Sequence, residues 1–139
     1  MLLFTTPNRR TLNEIAEHII STDSEGNNLK GGKTYKLRLA ADIPASEFWS
    51  VIVYDTKTRQ IICTDQSWPS VHSSCKKIVV NKNGSVDIFF GPEATEGGEN
   101  NWIKTIPKKE WFMVLRLYGP GEAWFNKSWK PGEIEGLPL

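Results

Sequence analysis

Apolar residues recur along this chain at two spacings, and the change from one to the other divides it. In TLNEIAEHIIS, the apolar positions Leu12, Ile15, Ala16, Ile19 and Ile20 follow the spacing that gathers side chains on one helical face. Thr11 and Glu14 fit a capping box, and an alternative start sets Thr6 at the cap with Pro7 at the first helical position. One N-terminal α-helix is therefore expected over residues 7–21, ended by the polar STDSEGNN.

Beyond it the period falls to two. In KTYKLRLA, Tyr35, Leu37 and Leu39 share one face and Lys36 and Arg38 the other, the mark of a half-buried strand. FWSVIVYD sets Trp49, Val51 and Val53 against Phe48, Ser50, Ile52 and Tyr54, so both faces are largely apolar and both are expected to be covered or to line a cavity. EWFMVLRLYG does the same with Trp111, Met113, Leu115 and Leu117 against Phe112, Val114, Arg116 and Tyr118. In KKIVVNKNGSVDIFF, Asn83-Gly84 sits between β-branched runs and predicts a tight hairpin. Shorter strands are expected over 59–63 and 102–105. Many short strands separated by turns indicate a mainly β, closed or sandwiched antiparallel fold. Residues 119–139, punctuated by Gly and Pro, are expected to be irregular but docked, since they carry Trp124 and Trp129.

At 139 residues the chain suits a single domain with its own core. Its net charge of +1 carries no basic block of the kind nucleic acid attracts, and no nucleic-acid partner is expected. No apolar run is long enough for a membrane helix, and no membrane partner is expected. In MLLFTTPNRR the basic pair follows the apolar residues, the reverse of a secretory signal, so the location is cytoplasmic by default. The spacing of Cys63 and Cys75 demands no disulfide, and two free thiols are expected.

The chemistry of reaction centres is sparse. No nucleophile elbow, phosphate loop, dinucleotide fingerprint or His-Glu-x-x-His is present. Cys63, His72 and Cys75 match no common zinc spacing, so no catalytic residue, metal or cofactor is assigned. Two features stand out instead. Several of the six tryptophans, Trp68, Trp102, Trp124 and Trp129, fall in loops or the tail, where an indole either plugs an open end of the fold or stacks on a ligand. Arg116 lies mid-strand among apolar residues and needs a carboxylate or an anion; Asp55 and Asp87 are the expected partners. After the loop EATEGGE, Asn101 is expected to tie loop backbone and Trp102 to cover an end of the fold. The candidate ligand-lining residues are Trp102, Asn101, Arg116, Tyr118, Asp87 and Trp49.

FWSVIVYD, NGSVDIFFGP, ENNWIKT, RLYGP and WFNKSWKPGEIE, in that order, resemble the domain-of-unknown-function family numbered 1214 over residues 26–135. The resemblance implies a single jelly-roll-like β-sandwich and no particular activity. It also implies a place as the C-terminal half of two-domain bacterial proteins whose N-terminal half belongs to the family numbered 1254. This chain starts only a short way before the shared region, so a freestanding relative or a fragment of a longer gene product is expected. Alone, the domain is expected to expose an apolar patch or self-associate, with the helix over 7–21 as its cover. The expected function is a binding or interaction module, accessory to a 1254-like domain or to a protomer, or offering aromatic loops to a carbohydrate-like or other small ligand. The alternative is part of a hydrolytic enzyme, with a polar pocket near Arg116, Asp87 and Asn101.

Overall fold

The computed structural model describes residues 14–66 and 68–138. Among these residues eight strands form two four-stranded sheets, ordered β1-β7-β3-β4 and β6-β5-β2-β8. The first holds β1 (Ile15–Ile20), β3 (Ala45–Asp55), β4 (Ser70–His72) and β7 (Trp111–Pro120). The second holds β2 (Tyr35–Leu39), β5 (Val86–Gly91), β6 (Trp102–Lys104) and β8 (Ile134–Gly136). All neighbours are antiparallel except β5 and β6, which run parallel.

Alternation along each strand sends every second side chain into one shared core. Tyr35, Leu37 and Leu39 of β2, Ile88 and Phe90 of β5, Val51 and Val53 of β3, and Trp111, Met113, Leu115 and Leu117 of β7 are all buried there. The sheets meet through aromatic contacts. Trp111 stacks on Phe90 at 4.7 Å between ring centroids and takes Tyr35 edge-on at 5.7 Å.

The expected helix is corrected: Ile15–Ile20 is the edge strand β1, and residues 7–13 lie outside the described residues. Ile15, Glu17 and Ile19 alternate with Ala16, His18 and Ile20, opposite Tyr118 through Met113 of β7. Both faces of β1 carry apolar residues, and that is what mimics helical spacing.

The expected hairpin is corrected too. Gly84 holds a φ of 88° and the turn closes, with Asn81 N–H donating to the Ser85 carbonyl at 2.8 Å. Ile78–Val80 nevertheless form no strand, because both edges of β5 are taken, by β2 and β6. Over 59–63 only a single bridge forms, between Tyr54 and Ile61. The tail is less irregular than expected: it holds the short helix α1 (Glu122–Phe125) and β8, which pairs with β2. Its Trp129 is buried and donates its indole N–H to the Ala40 carbonyl at 3.1 Å.

Candidate functional site

Strand register organises the outer face of the β1-β7-β3-β4 sheet into rows. Ile15, Tyr118 and Phe48 form one; Glu17, Arg116 and Ser50 the next; Ile19, Val114 and Ile52 a third; Phe112 and Tyr54 a fourth. Phe48 and Tyr118 stack at 4.2 Å between centroids, and Tyr54 and Phe112 at 5.3 Å. The apolar outward faces read from β3 and β7 thus meet on one side of the molecule. Phe112 and Val114 are buried by their neighbours, whereas Ile15 and Ile19 on the edge strand are exposed.

Arg116 lies between the aromatic rows, and its expected partners are corrected. Its Nε donates to Glu17 Oε2 at 2.6 Å and its Nη1 to the Tyr54 hydroxyl at 3.2 Å. Burial acts to lower the Arg116 pKa, but the hydrogen bonds to Glu17 and Tyr54 outweigh it and the net shift is upward. Asp55 instead meets Lys109 Nζ at 3.0 Å and accepts from the Lys57 and Thr58 amides, fixing the turn that follows β3.

Asp87 belongs to the other sheet and faces away from Arg116. It takes a two-pronged hydrogen bond from its cross-strand partner Arg38, at 2.7 and 3.0 Å, and a third from Asn81 at 3.2 Å. The Arg38 guanidinium holds the Asp87 carboxyl below the usual carboxylate range, with Asn81 assisting against partial burial.

Asn101, in the 3-10 turn Glu99–Asn101, is buried and acts as a peptide mimic. Its Oδ1 accepts from the Val79 amide, and its Nδ2 donates to the Val79 and Asp87 carbonyls, each at 2.9 Å. The segment that failed to pair with β5 is thereby stitched to it through a side chain. Trp102 donates its indole N–H to the Gly91 carbonyl at 3.0 Å. Trp49 is a core residue, and it also borders an open cavity of about 320 Å³ with Phe48, Ile78 and Val80.

The six sequence-predicted residues therefore divide. Arg116 and Tyr118 share the outer face of one sheet, Asp87, Asn101 and Trp102 belong with the other, and Trp49 lies between. Sequence reading missed Glu17, Arg38 and Gln66. Gln66 accepts from the Lys104 amide at 2.9 Å and donates to the Trp102 carbonyl at 3.0 Å, covering the free edge of β6. The signal for Glu17 and Arg38 was a cross-strand register that could not be known before the strands were paired, and Gln66, in a loop, had none. Among the described residues, no three His, Cys, Asp or Glu side chains gather as metal ligands, and no helix is long and apolar enough to cross a membrane. Cys63 and Cys75 are free thiols.

Fold and site together define a mainly β unit of two sheets around one core, whose singled-out polar residues are engaged in internal pairs. The chain belongs to the family described as Protein of unknown function (DUF1214), whose model matches residues 15–122. Its fold is similar to that of the VPA0106 protein from Vibrio parahaemolyticus, at 24% identity and a TM-score of 0.77 over 90% of this chain and 31% of that one. It is also similar to a putative uncharacterized protein from Burkholderia cenocepacia, at 13% identity and a TM-score of 0.51 over 87% of this chain and 34% of that one. The chain thus spans only 31% and 34% of the length of these two structures. No curated protein matches it.

Proposed function

We propose that this chain is a jelly-roll-like β-sandwich module, accessory to a companion domain, that docks through the outer face of β1, β7 and β3. The observation that carries the reading is the exposure of Ile15 at 43% and Ile19 at 60%, on an edge strand whose outward neighbours are Tyr118 and Val114. Burying one such side chain stabilises by roughly 1.5–3 kcal/mol, so a face that leaves two of them in water gains by being covered. The Glu17–Arg116 pair in the next row adds a charged register mark that orients a partner. The length of the two similar structures supports a companion domain as the occupant, and the family resemblance supports a 1254-like domain on the N-terminal side.

Native mass spectrometry of the chain mixed with the N-terminal domain of a two-domain relative tests this. A one-to-one complex is expected, weakened about tenfold or more by Ile19→Glu. No complex, a complex indifferent to that substitution, or a homodimer built on the same face would refute the reading.

A further inference from the structure

A second surface stands apart from the docking face and does not depend on it. Where Trp124 of α1 meets His18 of β1, His18, Trp124, Phe125 and Trp129 wall an open cavity of about 580 Å³, and Lys127 and Lys130 stand among its lining residues. That volume lies within the range of small-molecule sites. Among the described residues no lining side chain is acidic, although acidic and basic residues are almost balanced along the chain.

The walls are held in place. Trp129 is anchored twice, by its indole N–H on the Ala40 carbonyl and by its amide on the Ala123 carbonyl, both at 3.1 Å. The turn between α1 and Trp129 closes through the Lys127 amide on the Trp124 carbonyl at 3.3 Å and the Ser128 amide on Asn126 Oδ1 at 2.8 Å. Lys127 itself holds a φ of 63°, a left-handed conformation uncommon outside glycine, asparagine and aspartate. His18 meets Trp124 edge-on at 6.4 Å, and burial lowers its pKa, so at neutral pH the ring adds no charge. Lys127 and Lys130 are both exposed, and neither has a carboxylate partner among the described residues.

From this geometry we infer a binding site for a small ring with a flat apolar face and an anionic substituent, the ring lying against the half-buried Trp124 indole beside the buried Trp129 and the anion meeting the lysines. Indole faces hold such rings by stacking and apolar contact, while unpaired ammonium groups beside a low-dielectric wall favour a carboxylate or phosphate. An aromatic acid or phosphate and an acidic sugar share this chemistry.

The test is a titration of the full ¹⁵N-labelled chain, followed by two-dimensional NMR, with phenyl phosphate, with glucuronate, and with benzyl alcohol as the neutral control. Saturable shifts of the Trp124 indole N–H and of the Lys127 and Lys130 amides by at least one anion are expected below about 10 mM. The better of the two anions identifies the ligand as aromatic or saccharide. Benzyl alcohol should bind at least about tenfold more weakly, and the double variant Lys127→Ala/Lys130→Ala should lose a similar factor for the anion with an unchanged thermal midpoint. The inference is overturned if neither anion gives saturable shifts, if the shifts map elsewhere, or if benzyl alcohol or the double variant binds as well.

Discussion

Asn101 shows what a single residue does in this fold. Its carboxamide replaces a strand's backbone, meeting both polar groups of Val79 and the carbonyl of Asp87. Asn101→Ala would leave those groups without partners in a part-buried setting, and a loss of about 1–3 kcal/mol is expected from urea unfolding. The sequence made its role legible because an asparagine restarting order after a glycine-rich loop has few other uses. Arg116 was legible only in part. Its need for a partner followed from its apolar surroundings, but Glu17 was hidden because its segment read as a helix.

Two titrating groups give the residue scale a pH signature. The folded pKa of His18 lies below its ordinary value of 6.5 through burial, so the unfolded chain binds the proton first. Its contribution is full above that value and is lost as pH falls from there through the folded pKa. Asp87 is depressed below 3.8 by Arg38, so its contribution follows the same sign in a lower window. Thermal midpoints should therefore fall from about pH 6.5 downward. His18→Gln should flatten the upper step, and Asp87→Asn should reduce the lower one, which Asp55, depressed by its hydrogen bond from Lys109, shares.

Among the elements, β1 and the turn after β4 mark where sequence pattern misleads. β1 has three isoleucines in six residues, a composition that favours strands, yet apolar residues on both faces blur its alternation. Asn83-Gly84 predicted its local turn correctly, but a turn does not choose the partners of the strand it feeds. Backbone close approach decides other junctions. Gly31 sends its amide to the Lys109 carbonyl and takes the Thr105 hydroxyl on its own carbonyl, both at 2.8 Å. A Cβ at this position would run into the Ile106 carbonyl. Gly31→Ala should cost about 2–3 kcal/mol, seen as a lower urea midpoint, because backbone rather than a flexible side chain blocks it. Gly119 meets a different demand. Its φ of 71° carries β7 past the β3 irregularity between Ala45 and Phe48.

At the scale of the molecule, the two sheets and their shared core follow from period-two patterning, and the pairing order does not. The apolar outward faces of β3 and β7 were visible in the sequence, and their meeting on one surface needed the register. That surface is the basis for reading the chain as a docking module. Methyl NMR of isoleucine- and valine-labelled chain, with and without the companion domain, tests the reading most directly. The Ile15, Ile19 and Ile52 methyl signals should move together while Ile88 and Ile134, buried core residues of the other sheet, hold still. Shifts confined to the β6-β5-β2-β8 side, or none at all, would contradict it.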